Sequence, residues 1–154
     1  MTRGVIVMTA GLLLGSFSAA GAPQTATVVE VYKSPTCRCC SKWIEHMRQS
    51  GFTVRATDVP DADLPSLKAR QGVPSQAQSC HTALVGGYVI EGHVPAADVR
   101  RILSERPSLR GLAAVGMPRG SPGMEVWGAK PQRYSVTAFD KLGNTWTFAT
   151  HGGA

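Results

Sequence analysis

Apolar and polar positions alternate through Ala26–Ser34, "ATVVEVYKS", and several are β-branched, so this stretch predicts a strand. Pro35 ends it. Thr36 is placed to cap a helix from about Cys37 to Ser50, and Gly51 supplies the stop. Cys40, Trp43, Ile44 and Met47 share one face at helical spacing, which predicts a buried stripe. "FTVRATDV" predicts a second strand. Asp63, ahead of Leu64 and Pro65, caps a short helix to about Gln71. "GVPSQAQS" is a loop, and "CHTALVGGYVIEGHV" predicts a hairpin turning at Gly86 and Gly87. "PAADVRRILSERP" predicts a helix ended by Pro107. A Gly/Pro loop, "GLAAVGMPRGSPGMEVWG", follows. "RYSVTAFD" and "TWTFAT" then predict a second hairpin with Leu142, Gly143 and Asn144 in its turn.

The element order is β-α-β-α-β-β-α, with thiols at the N-terminus of the first helix. This is the thioredoxin-like α/β arrangement, extended by a C-terminal loop and β-hairpin. Fold alone assigns no function. The tail is too short for an independent domain and is expected to pack on the rest, giving one domain over 26–154.

The first 20 residues are expected to leave the fold. Arg3 precedes an apolar run from about Val5 to Leu14, and Ser18-Ala19-Ala20 offers the small side chains a signal peptidase needs. The run is too short to span a ~30 Å hydrocarbon core. The expected product is an exported, periplasmic chain without a membrane span. Losing Arg3 takes the formal charge from +6 to +5. The remaining cations are scattered and not interleaved with aromatics, which argues against a nucleic-acid partner.

All four cysteines follow that segment: Cys37, Cys39, Cys40 and Cys80. In an oxidising compartment an even number suggests disulfides first. Cys37 and Cys40 form C-x-x-C in a helix's first turn, where unpaired N–H groups favour thiolate and Arg38 and Lys42 add positive charge. That geometry serves a redox disulfide and a metal dithiolate alike. Cys39 tilts the balance, because a redox dithiol gains nothing from a third thiol beside it. On a regular helix, however, Cys39 points about 100° away from Cys40. Either Cys39 is a spectator, or the turn is irregular, or more than one ion is held. "SCHTALV" adds Cys80 and His81 where thioredoxin-like folds usually carry a cis-proline facing the C-x-x-C. Cys80 is a metal ligand or half of a structural disulfide; His81 is a ligand or a satisfied buried histidine.

Thiolate and thioether ligands select Cu(I), whereas zinc is satisfied by Cys₄ or Cys₃His. Met47 belongs to the helix stripe. Met117 and Met124 lie in "GMPRGSPGME", where each is either a ligand or a gap-filler. His46 is expected to be solvent-exposed. His93 is a local cap or a group behind the ligands, and His151 a mobile ligand or nothing. Glu125 is placed to hydrogen-bond a histidine.

"YKSPTCRCCSKWIEHMRQSGF", "GVPSQAQSCHTALVGGYVIEGHVPA" and "GMPRGSPGME", in this order, resemble the signatures of the CopG-type family. These are exported bacterial metal-binding proteins linked to copper resistance. The resemblance spans about Val28 to Glu125. It implies a thioredoxin-like fold and copper bound through Cys37, Cys39, Cys40 and Cys80 with His81 beside them. Met117 and Met124 match the family's Met-containing loop. Arg38 departs from the pattern, where glycine is frequent; a cation there favours thiolates and repels a second Cu⁺. The resemblance also suggests handling of copper redox state, with other periplasmic copper-handling proteins as partners. Three readings follow: a Cu(I)-binding protein serving copper resistance by sequestration or Cu(I)/Cu(II) interconversion, a thiol–disulfide oxidoreductase using Cys37 and Cys40, and a disulfide-stapled interaction domain.

Overall fold

The computed structural model describes residues 27–153, so the segment read as a signal peptide lies outside the described residues. In β1 (Val28–Lys33) the alternation buries Val29, Val31 and Lys33. α1 (Arg38–Gln49) follows, and its cap falls one residue later than expected. Cys37, with extended backbone, is the N-cap, and its Sγ accepts the Cys40 N–H at 3.3 Å. The Thr36 hydroxyl is engaged with that of Ser34 instead. The predicted stripe of Cys40, Trp43, Ile44 and Met47 is buried.

β2 (Thr53–Asp58) runs parallel to β1, and α2 (Leu64–Arg70) follows. Asp63 precedes α2 as expected, but its side chain makes no capping hydrogen bond. A 3-10 turn, Ser75–Ala77, leads to the hairpin of β3 (His81–Val85) and β4 (Tyr88–Gly92). Gly86 and Gly87 both have positive φ, as a tight two-residue hairpin turn requires. α3 (Ala96–Glu105) crosses to β5 (Gly111–Ala114), parallel to β4; β6 (Tyr134–Phe139) and β7 (Thr145–His151) follow as an antiparallel pair. The seven strands form one mixed sheet in the order β2-β1-β3-β4-β5-β6-β7.

β5 corrects the sequence reading, which placed Gly111–Ala114 in a loop. Four buried residues with no alternation carry no period to detect. Their consequence is large: β5 pairs with both β4 and β6, so the C-terminal hairpin continues the backbone ladder of the main sheet.

Strand parity divides the core. Val31, Ala83, Ile90, Leu112 and Val136 share a cluster with Trp43, Ile44 and Met47 of α1 and Val99 and Ile102 of α3. Val89, Ala113 and Phe139 form a separate cluster with Val73 and Ala77, between α2 and β3 in the chain. No helix among the described residues is long and apolar enough to cross a membrane.

His46 is half-buried rather than solvent-exposed. Its Nε2 accepts the N–H of Ala96 at 3.1 Å, so a side chain of α1 caps the start of α3. Burial holds its pKa below the ordinary histidine value, outweighing an opposing pull from Glu125 and helped slightly by Arg100. The folded chain therefore binds fewer protons here than the unfolded chain once pH falls towards about 6.5, and stability is lost in that direction. The urea midpoint of the metal-free protein is expected to drop between pH 7 and pH 5, and to drop less in His46→Gln, whose amide oxygen can still accept from Ala96. Equal pH slopes for the two proteins in urea titrations would exclude His46 as a source of that sensitivity.

Candidate metal centre

Four chain segments converge at one end of the sheet: the start of α1, the start of β3, the residue after β4, and the loop 115–125. Because Cys37 stands outside the regular helix as its cap, Cys39 and Cys40 can both approach it. The Sγ atoms of Cys37 and Cys39 are 3.5 Å apart. Cys37 and Cys40 form a disulfide, while Cys39 and Cys80 are free. One donor atom from each of the four cysteines lies within 4.8 Å of every other. Cys40 is fully buried; Cys37, Cys39 and Cys80 are partly open.

Cys80 also faces two imidazoles. Its Sγ is 3.3 Å from His81 Nδ1 and 3.1 Å from His93 Nε2. Pro122 fixes the second ring, since its carbonyl lies 2.7 Å from His93 Nδ1 and can only accept. The proton is therefore on Nδ1, and Nε2 presents its lone pair to Cys80. His81 is fully buried against Trp43, with ring centroids 4.5 Å apart, and among the described residues its Nε2 has no hydrogen-bond partner. Burial lowers the pKa of His81 well below the usual value and that of His93 also, so both rings are neutral near pH 7. The Cys80 thiol is pushed up to about 12, first by burial and then by Cys39.

His93 joins Cys80 more closely than the sequence reading foresaw. The signal was in the hairpin: Val85 pairs Tyr88 and Thr82 pairs Glu91, and counting outward sets Cys80 opposite His93. His151, by contrast, is held elsewhere, with Nε2 2.6 Å from Asp98 of α3. Glu125 does not bond a histidine; its carboxylate accepts the Gly123 N–H within its own loop.

The loop carries both candidate methionines. Met117 is substantially exposed, and its Sδ is 4.0 Å from Cys39 Sγ. Met124 is half-buried and lines a groove with Arg38, Cys39, Lys42 and Gly123. Gly123 makes this docking possible. A Cβ there would stand 2.8 Å from Trp43 N and 2.9 Å from the Cys39 carbonyl, and its φ is +84°. Met47 is core, as its place in the stripe predicted.

The donor set fits a soft metal. Four sulfurs close together, two neutral imidazoles and a thioether at the rim match thiophilic or borderline ions far better than hard ones. In the disulfide state Cys37 and Cys40 are coupled to each other, so their use as ligands requires two-electron reduction to thiolates.

This is a small mixed α/β protein with a cysteine cluster able to bind metal, built where a helix start meets a strand start. The chain belongs to the CopG copper resistance protein family. Two solved structures carry that relationship. "Copper resistance protein copG- Form 1" is 40% identical, with 84% of this chain and 100% of that chain covered and a TM-score of 0.75. "Copper resistance protein copG- Form 2" is 40% identical, covering 82% and 99% with a TM-score of 0.74. Residues 77–124 match a family model described as "Protein of unknown function, DUF411". That span holds Cys80, His81, His93 and the methionine loop. A comparison with curated protein sequences gives no match.

Two outcomes are expected of this geometry. Because Cys80 is a protonated thiol near pH 7, a metal that takes its sulfur must displace a proton. Calorimetry of Cu(I) binding to the reduced chain, in buffers of different ionisation enthalpy, should show proton release, reduced in Cys80→Ser. Gly123→Ala should destabilise the fold by about 1 kcal/mol or more, since alanine is strained at this φ and the helix backbone blocks its Cβ. Chemical denaturation measures it, and an unchanged midpoint would contradict the tight docking.

Proposed function

We propose that this chain is an exported copper-binding protein that holds Cu(I) through Cys37, Cys39, Cys40 and Cys80 and contributes to copper resistance. The carrying observation is the convergence of all four sulfurs within 4.8 Å. The 40%-identical solved structures are of copper resistance proteins, which supports copper as the metal. His81 and the methionines Met117 and Met124 complete the proposed ligand set, and His93 orients or joins it. The scaffold is read as thioredoxin-like, with β1-α1-β2 followed by the β3-β4 hairpin and α3, and the C-terminal loop and hairpin as an extension of the same domain. Residues 1–20 are read as a signal peptide, which places the product in the periplasm among other copper-handling proteins. Resistance would follow from sequestration or from Cu(I)/Cu(II) interconversion.

A second reading has its own observation. The Cys37–Cys40 disulfide at a helix N-terminus is also what a thiol–disulfide oxidoreductase requires. The two readings separate on variants. If copper binding is the function, Cys37→Ser and Cys40→Ser each abolish tight Cu(I) binding in chelator competition, and the wild type shows little insulin-reductase turnover. Turnover at thioredoxin-like rates, surviving Cys39→Ser and Cys80→Ser, would favour the oxidoreductase. Wild-type copper affinity in both the Cys37 and Cys40 variants would remove the copper site.

A further inference from the structure

Beneath the cysteine cluster, on the opposite face of the sheet from α1, lies a buried charge pair that the metal centre does not use. Lys68 of α2 donates to Glu91 Oε1 and, at 3.1 Å, to the Thr82 hydroxyl. That hydroxyl donates to Glu91 Oε2 at 2.7 Å. The triangle closes with every role consistent: the ammonium only donates, the carboxylate only accepts, and the hydroxyl does one of each. The Lys68 side chain is 6% exposed and that of Glu91 0%.

Stability gives little reason for this pair. Removing two charges from water costs several kcal/mol per ion, and a well-packed apolar replacement is often neutral or better. The surrounding face already supplies Val89, Ala113 and Phe139 as packing partners. What the pair does is hold backbone. β3 begins at His81, so Ser79 and Cys80 lie beyond its ladder. The Ser79 N–H is taken by Glu91 Oε1 at 2.7 Å. Glu91 thus grips the residue before Cys80 and, through Thr82, the residue after His81. It is itself two positions before His93 on β4. One carboxylate spans both strands at the point where Cys80 is presented to His93.

We propose that Glu91, oriented by Lys68, is a positioning residue that fixes Cys80 in the metal centre. As a statement about metal binding it rests on the reading that Cys80 is a ligand; as a statement about where Cys80 is held it does not. Outer partners that orient ligands typically change metal affinity by about 10–100-fold when removed.

Two full-chain double variants test it. Lys68→Met with Glu91→Gln removes the charges but keeps an oxygen to accept from Ser79. Lys68→Met with Glu91→Leu removes the acceptor as well. Expected for the leucine variant are an unfolding midpoint close to wild type, a Cu(I) affinity lower by about 10–100-fold, and faster maleimide labelling of Cys80 in the reduced, metal-free Cys39→Ser background. The glutamine variant should recover most of both. Wild-type affinity and labelling in a folded leucine variant would overturn the proposal, and so would equal losses in both variants. If the leucine variant fails to fold, the wild type decides through hydrogen exchange of the Ser79 amide. Slow exchange, like that of the β3 ladder, upholds the anchor, and fast exchange overturns it. Should the wild type bind no copper, labelling and exchange still test the positioning, while the copper reading fails separately.

Discussion

Because β1 and β3 run antiparallel with Lys33 opposite His81, the end of the first strand and the beginning of the third lie side by side. α1 starts just beyond that end of β1, so Cys37, Cys39 and Cys40 are delivered to the place where Cys80 and His81 begin β3. The β3–β4 register then brings His93 in from the far side. A slip by one residue would turn every β3 side chain to the other face. It would carry His81 away from Trp43 and exchange the core residues Ala83 and Val85 for Thr82 and Leu84. The register is thus set by apolar burial, and the assembly of the donors follows from it.

The second constraint is desolvation. His81 and His93 are held neutral by burial, which is the state in which an imidazole nitrogen can accept a proton or bind a metal. Cys80 is held as a thiol by the same burial. Without metal, its proton has the His93 lone pair beside it. The price of the arrangement is visible at His81 Nε2, a buried polar atom without a partner among the described residues. Access differs around the cluster: Cys40 is sealed in the core, Met117 is substantially exposed, and the partly open Cys39 lines a groove with Arg38 and Lys42.

Much of this was legible in the sequence wherever a period or a turn residue marked it. β1, α1, the Gly86-Gly87 hairpin and α3 all follow from alternation, helical spacing and stop signals. β5 was not legible, because four small or apolar residues ahead of a Gly/Pro-rich loop carry no period. Cys37 displaced Thr36 as the cap, since a sulfur that accepts the Cys40 N–H is not among the usual capping groups. His46 was misplaced because its environment comes from α3, fifty residues away in the chain. The three-cysteine run drew attention to itself, but the closeness of Cys80 to it depends on the strand register. The Lys68–Glu91 anchor had no signature at all, as a lysine on a short helix ordinarily faces water.

The proposed function requires that the four sulfurs hold copper rather than form two disulfides or turn over substrate. Its most direct test is to express the full chain with added copper, purify it without chelator, and count bound metal and reactive thiols in the same sample. Copper at one or more ions per chain, with thiols unreactive until a Cu(I) chelator is added, is the predicted result. A copper-free chain whose four sulfurs are locked in two stable disulfides would contradict it.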